Sequence, residues 1–233
     1  MKVSVCMAVY NGEDFIREQI DSILQQLKES DELIISDDGS TDKTLSIIKG
    51  YKDNRITLYH SGRKDIIRNF ENALLVASGD IIFLSDQDDI WHSNKVEKIL
   101  NLMKDKEYDM VFSNAFVFNS SREESFLLYE RGKNRTGLFR NLIKNNFIGA
   151  TMAFNRRVLD KSLPFPNTIY MHDAWIGSVA EIVGRTYYFD EPLIFYRRHG
   201  SNASQTGEKS DNSFLKKMRM RYNLVHCLLK RFL

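Results

Sequence analysis

The sequence predicts an α/β fold, a mainly parallel sheet covered by helices, and three observations carry that prediction. Short apolar, β-rich runs alternate with segments whose apolar residues recur at helical spacing, the pattern of successive βαβ units. Turn residues follow the runs at once, "NG" after the first and "DDGSTD" after the second. The length of 233 residues, 42% hydrophobic and 27% charged, suits one sizeable soluble domain, alone or with a small appendage. With three prolines, no low-complexity tract and no internal repeat, long disordered linkers are not expected.

"KVSVCMAVY" (2–10) is the first expected strand. From Asp14 a helix follows, with Phe15, Ile16, Ile20, Ile23, Leu24 and Leu27 on one face and Gln19 as that face's exception. "ELIIS" (32–36) is the second strand, and the helix after its turn carries Leu45 and Ile48. "ITLYH" (56–60) is the third strand, and residues 66–78 read as a helix with Ile67, Phe70, Leu74 and Ala77 on one side. "DIIFLS" (80–85) is the fourth strand, with Ser93 placed to cap a helix using Val96, Ile99, Leu100 and Met103. The second half is less regular. "MVFSNAFVF" (110–118) and "FIGATMAFN" (147–155) read as strands around a polar loop over 119–136. A helix is expected from Asp173 through Ile176, Val179, Ala180 and Val183, and "TYYFDEPLIFYRRHGSN" reads as strand and loop.

Right-handed crossovers bring the strands' carboxyl ends to one edge, where open α/β sheets bind ligands. Three polar groups should therefore converge there: Tyr10-Asn11-Gly12, Asp37-Asp38-Gly39 and Asp86-Gln87-Asp88. "FLSDQDDIW" (83–91) sets three carboxylates in four positions with no neutralising neighbour. Repulsion raises their pKa values unless a hard cation shares them. A solvated turn explains an isolated Asp-x-Asp, but not this one at a sheet rim after "IIFL". In "SDDGSTD", Gly39 supplies the turn and Thr41 or Asp42 a helix cap, which leaves Asp37 and Asp38 suited to accept from a base or ribose. Asp173 in "MHDAW" is either a helix N-cap or a general base, and the ionised carboxylate serves both. In "YRRHGSN", Arg197 and Arg198 suit an anion such as a diphosphate.

Taken together, these pieces resemble the inverting family 2 glycosyltransferases of GT-A fold, whose sheet is Rossmann-like. "VSVCMAVYNG", "DDGSTDKT", "ASGDIIFLSDQDDIW", "HDAW" and "RRHGSN" occur in the family's order across residues 3–202. "SDQDDIW" preceded by "RNFENAL" is similar to rhamnosyl- and galactosyltransferases of bacterial surface-polysaccharide assembly. The resemblance implies Ala8 and Tyr10 at the nucleobase, Asp38 binding the base with Asp37 in support, and Asn69 of the Arg68-Asn69 pair at the nucleotide. It implies Asp86 at the ribose and metal, Asp88 as metal ligand, His199 completing the metal site or diphosphate clamp, and Asp173 as catalytic base. The implied cofactor is Mg²⁺ or Mn²⁺, and the implied donor is dTDP-rhamnose or a UDP-hexose. The acceptor would be a hydroxyl of a growing surface glycan such as O-antigen or capsule, free or lipid-linked. Processive members carry a Gln-x-x-Arg-Trp motif and membrane helices; this chain has neither, so one sugar per encounter is implied.

The reading divides the chain into a glycosyltransferase domain over 1–205, with a nucleotide half (1–113) and an acceptor half (114–205), and a basic amphipathic helix over 206–233. Net charge is +2, yet residues 209–233 carry seven Lys/Arg against one Asp, which leaves 1–208 net acidic. Leu215, Met218, Tyr222, Val225, Leu229 and Phe232 form an apolar seam flanked by Lys and Arg. Docking on the domain, binding a membrane surface and pairing with a partner helix all fit it. Cys6 and Cys227 read as buried free thiols in a reducing cytoplasm, and the sequons at Asn119, Asn134 and Asn202 carry no weight there. "MKVSVCMAVYNG" is no signal peptide and no run approaches the ~20 apolar residues of a membrane span. A cytoplasmic protein, or one peripheral at the inner membrane face, is expected.

Among rivals, a sugar-nucleotide pyrophosphorylase needs a glycine-rich basic loop where "AVYNGEDF" has one Gly and no Lys. A non-catalytic sugar- or nucleotide-binding module would not need both Asp88 and Asp173. No Gly-x-Gly-x-x-Gly supports a dinucleotide oxidoreductase, and an acidic main body argues against nucleic acid.

Overall fold

The computed structural model describes residues 1–119, 125–132, 136–199 and 213–233. Four strands come from the first half: β1 (Val3–Val9), β2 (Glu32–Asp37), β3 (Ile56–His60) and β4 (Ile81–Ser85). Between them lie α1 (Ile16–Leu24), α2 (Thr44–Gly50) and α3 (Ile66–Val76). These strands are parallel in the order β3-β2-β1-β4, so the chain leaves β1 toward one edge and returns on its other side. That reversal creates a crevice between the carboxyl ends of β1 and β4.

A two-residue strand β5 (Ile90–Trp91) and α4 (Lys95–Lys106) follow, then β6 (Met110–Asn119) and β7 (Ser125–Leu127). The chain continues through α5 (Leu138–Ile143), a single 3₁₀ turn at Gly149–Thr151, β8 (Met152–Asn155) and α6 (Arg156–Ser162). It ends with α7 (His172–Val183), β9 (Thr186–Arg198) and α8 (Phe214–Phe232). The sheet extends as β4-β8-β6-β9-β5, with β7 beside β6. The long β6–β9 pairing is parallel, whereas β8, β7 and β5 add short antiparallel pairings. The sheet is therefore mainly parallel, as expected.

Strand alternation divides the core in two. Val3, Val5, Met7 and Val9 of β1, with Phe83 of β4, face α1, α2 and α4. Cys6, Ala8, Ile82 and Leu84 face α3, α6, α7 and α8. On α1, Ile16, Ile20 and Ile23 recur at helical spacing and are fully buried, each contributing about 1.5–3 kcal/mol. Both cysteines are buried and free.

The second half departs from expectation in detail. Part of the 119–136 loop forms β7, because Phe126 and Leu127 pair back onto β6. Residues 149–151 of the expected 147–155 strand turn as a 3₁₀ helix before β8. Asn94 rather than Ser93 precedes α4. Helix α8 docks through Leu224, Cys227 and Leu228, joined by Phe232, which is the one residue of the apolar seam identified in the sequence that packs on this core. Residues 206–212 of the expected tail, Gly200-Ser201-Asn202 and the Asn134 sequon lie outside the described residues.

Candidate active site

The three polar groups predicted to converge do so in the β1/β4 crevice. Gln87 clasps the backbone of Tyr10, whose N–H donates to Oε1 at 2.9 Å while Nε2 donates to the Tyr10 carbonyl at 3.0 Å. A Cβ on Gly12 would fall 2.5 Å from Gln87 Oε1, so only glycine permits this clasp. The Asn11 N–H donates to Ser40 Oγ and the Thr41 N–H to Asn11 Oδ1, which joins the first turn to the second. Asp37, fully buried, accepts from the Gly39 and Ser40 N–H groups, with Gly39 at φ +89°. Asp38 accepts from the N–H groups of Arg63, Lys64 and Asp65 at 2.8, 2.9 and 2.7 Å. It thus shapes the loop that presents Lys64 and Asp65 to the crevice.

The crevice encloses a cavity of about 360 Å³. Ala8, Tyr10, Asp38, Asn69, Asp86, Asp88 and Asp173 line it. Asp37, Arg197, Arg198 and His199 are not among its walls. Arg197, expected at a diphosphate, is turned into the protein. Its Nε donates to the Asp88 carbonyl at 2.9 Å, its guanidinium pairs with Glu18 at 2.5 Å, and Phe15 and Phe118 cover its faces. Its backbone N–H donates to Asp89 Oδ1 at 3.0 Å, so it braces the acidic turn from behind. Arg198 lies over the Phe126 ring. His199 reaches the acidic turn directly, with Nε2 2.8 Å from Asp88 Oδ2 and its ring stacked on Phe15.

Asp86, Asp88 and Asp89 bring one carboxylate oxygen each within 4.8 Å of one another. Burial, then Asp88 and Asp173, push Asp86 up to about 7. Burial, then Asp88 and Asp86, raise Asp89 well above the usual carboxylate range. Asp89 Oδ2 is buried with no partner. Besides Arg197, a buried lysine stands nearby: Lys95 donates to the Ala150 carbonyl at 2.7 Å, and burial pulls it down to about 7 against the opposing charges of Asp89 and Asp86. Three crowded carboxylates, an unpartnered oxygen and an adjacent imidazole fit a hard divalent cation, which would favour their ionised forms.

The opposite wall comes from α7. Asp173 is the second residue of this helix rather than its N-cap, a position that Met171 occupies. Its Oδ1 accepts from the Ala174 N–H at 2.5 Å. Burial pushes it up to about 7, opposed by the N–H groups of Ala174 and Gly149. Neighbouring His172 also lines the cavity, 4% exposed and stacked on Phe70, with neither ring nitrogen hydrogen-bonded. Burial lowers it to about 3, so the ring is neutral at ordinary pH. A Cβ on Gly149 would lie 2.8 Å from His172 Nε2, which keeps that wall glycine-lined. Asn69 donates to the Val9 carbonyl and leaves its Oδ1 buried and unpartnered.

Lys95 and His172 were not singled out from the sequence, while Asp89 and Gln87 were named there only as members of the acidic turn, without a role of their own. One sequence signal did foreshadow part of the site. Gln19, the exception on the apolar face of α1, donates to Ser85 Oγ and to the Asp86 carbonyl at 2.7 and 3.0 Å. Ser22 Oγ and Gln26 Oε1, one and two turns on, accept from the Trp91 and Val96 N–H groups. A polar stripe along α1 and the turn that follows it thus holds the segment from 85 to 96 at its start, middle and end.

Comparison with known proteins agrees with this geometry. The family model described as "Glycosyl transferase family 2" matches residues 4–163. The chain is 27% identical over 213 residues to the dTDP-rhamnosyl transferase RfbG of Shigella flexneri, covering 84% of this chain and 72% of that one. It is 32% identical over 167 residues to an Escherichia coli enzyme, the UDP-Glc:alpha-D-GlcNAc-diphosphoundecaprenol beta-1,3-glucosyltransferase WfgD, covering 70% and 64%. Staphylococcus aureus TarS 1–349 in complex with UDP-GlcNAc superposes with a TM-score of 0.70 at 19% identity, covering 97% of this chain and 66% of that one. The last likeness is one of fold.

Proposed function

The chain belongs to glycosyl transferase family 2, and from that premise we propose metal-dependent, inverting, non-processive transfer of a sugar to a hydroxyl of a growing bacterial surface glycan. The donor would be dTDP-rhamnose or a UDP-hexose. The observation that carries this reading is the pair of opposed carboxylate environments at one cavity, Asp86 and Asp88 on the β4 side, with Asp89 clustered beside them, and Asp173 on the α7 side. The relatives RfbG and WfgD, named for a dTDP-rhamnosyl and a UDP-glucose reaction, support the two donor classes.

Ala8 and Tyr10 offer the wall for the base, with Asn69 and the loop shaped by Asp38 beside it. Asp86, Asp88 and Asp89, with His199 against Asp88, would hold Mg²⁺ or Mn²⁺. When bound, that ion offsets the charge developing on the departing diphosphate. Asp173 accepts the proton of the acceptor hydroxyl while its oxygen attacks the anomeric carbon from the face opposite the diphosphate. The bond from that carbon to the diphosphate breaks, and the configuration inverts. A carboxylate with a pKa of about 7 is suited to this step, being ionised near neutrality yet basic enough to accept a proton. The unpartnered nitrogens of His172 offer a hydrogen-bond donor and an acceptor to a sugar hydroxyl at the same wall. The acceptor's being lipid-linked, and the enzyme's working at the inner membrane face, belong to the same proposal. No helix among the described residues is long and apolar enough to cross a membrane.

Calorimetric titration with UDP and dTDP, each with and without Mn²⁺, tests the reading. Metal-dependent binding of one nucleotide is expected. Failure of both to bind the folded protein with metal present would overturn the donor class and favour the non-catalytic alternative.

A further inference from the structure

Five of the six seam residues of α8 face away from the domain that the helix docks on; the sixth, Phe232, packs against it. Leu224, Cys227 and Leu228 are buried, whereas Leu215, Met218, Tyr222, Val225 and Leu229 are exposed, Leu215 and Tyr222 by 78% and 69%. At about 100° per residue these five lie within one quarter of the helix surface, opposite the docked face. The helix runs 19 residues, about 28 Å. The borders of the seam are basic, with Arg219 and Lys230 on one side and Arg221 on the other. Residues 213–233 hold six Lys/Arg and no acidic residue.

A second helix contributes. Arg221 donates to the Ile143 carbonyl at the end of α5. Beside that contact α5 exposes Phe139 by 83% and Ile143 by 69%, next to the basic residues Arg140 and Lys144. Isolated exposed apolar residues need no explanation, but seven large ones on two touching helices do.

We infer that α8 and α5 together form a docking surface for an anionic lipid bilayer, with the seam entering the headgroup boundary and the basic flanks meeting lipid phosphates. Charge selects this occupant. A coiled-coil partner needs acidic residues opposite the flanks, and a second copy of this chain would bring the same cations together. An apolar stripe with basic borders is what an interfacial helix requires. The surface also bears on the site. Helix α7, which carries Asp173, packs against both α5 and α8, and Tyr170 lies within electrostatic reach of Asp173 and of Arg221. A membrane-borne acceptor would therefore arrive at the α7 wall. This extends the membrane contact in the functional reading but does not depend on transfer.

The test is flotation of the full chain with vesicles of phosphatidylcholine alone or mixed with phosphatidylglycerol, at low and high salt. Expected is binding to the mixed vesicles at low salt that weakens as salt rises. Arg219→Glu and Lys230→Glu should each lower the partition coefficient about fivefold or more, corresponding to ~1 kcal/mol per basic residue at the surface. Tyr222→Glu with Leu229→Glu should abolish binding while leaving Mn²⁺-dependent nucleotide binding and the circular dichroism spectrum unchanged. Equal flotation of wild type and the Tyr222/Leu229 variant, or no binding by folded wild type, would overturn the inference. So would a concentration-dependent dimer that the same two substitutions dissolve, since it would assign the face to a second copy. Loss of nucleotide binding in wild type would sink the transferase reading and leave the vesicle result standing.

Discussion

Two sets of aspartates gather around the crevice at the sheet rim and differ in how their carboxylates are satisfied. Asp37 and Asp38 spend their carboxylates on backbone N–H groups and show how a buried charge becomes scaffold. Asp86, Asp89 and Asp173 are burdened instead: burial and like charges raise them, and Asp89 keeps an oxygen with no partner. Satisfied carboxylates build the loops around the cavity, while unsatisfied ones store the electrostatic cost that a cation and a reacting hydroxyl would relieve. Position relative to a strand end does not separate the two classes; the supply of nearby N–H groups does.

The sharpest way to break this comparison is Asp173→Asn. Its amide oxygen can still accept from Ala174, so the fold and nucleotide binding should persist while turnover falls about 10²–10⁴-fold. Near-normal turnover would remove Asp173 from the burdened, functional class. Next, Asp88→Ala should abolish the Mn²⁺-dependence of nucleotide binding in calorimetry, since it removes the carboxylate shared by the acidic cluster and His199. Retained metal-dependent binding would show that the cluster is not the cation site.

The two classes should also have opposite signs in stability. Asp38→Ala strands three backbone donors, and its unfolding free energy should drop by about 2–3 kcal/mol. In metal-free buffer above pH 7, Asp86→Asn should instead stabilise the protein by about 1 kcal/mol. The sign follows from linkage. A carboxyl raised to about 7 on folding loses stability as pH climbs from the unfolded value of about 4 through 7, so the gain should vanish near pH 4. Urea unfolding of both variants at two pH values measures this, and a shared sign would collapse the distinction. The smallest effect is in pH–rate data. Activity should rise through about 7 as Asp173 ionises, and a flat profile from pH 5 to 8 would deny it the base role.

Much of this was legible in the linear chain. Alternation and helical spacing identified β1 to β4 and α1 to α4 to within a few residues, because local periodicity and parallel pairing agree there. The convergence of Tyr10, Asp38 and Asp86 also followed from placing the carboxyl ends of parallel strands on one edge. The second half resisted. Strand β7 and the helices α5 and α6 are short, and β8 owes its form to pairing between β4 and β6 rather than to its own pattern. Arg197 illustrates the limit at the site. Two adjacent arginines suit an anion by composition, but a guanidinium already committed to Glu18 and the Asp88 carbonyl faces inward.

The sequence by itself determined the alternating strands and helices of the first half, the rim of acidic turns and the family to which they belong, since these rest on periodicity and on motifs in a fixed order. Only the tertiary structure decided which aspartates are satisfied, that Gln19 anchors the acidic segment, that His172 has unpartnered nitrogens, and which face of α8 is covered. Those outcomes depend on hydrogen-bond partners and neighbours many residues away, and the free energy of a buried polar group is set by what surrounds it, not by what precedes it in the chain.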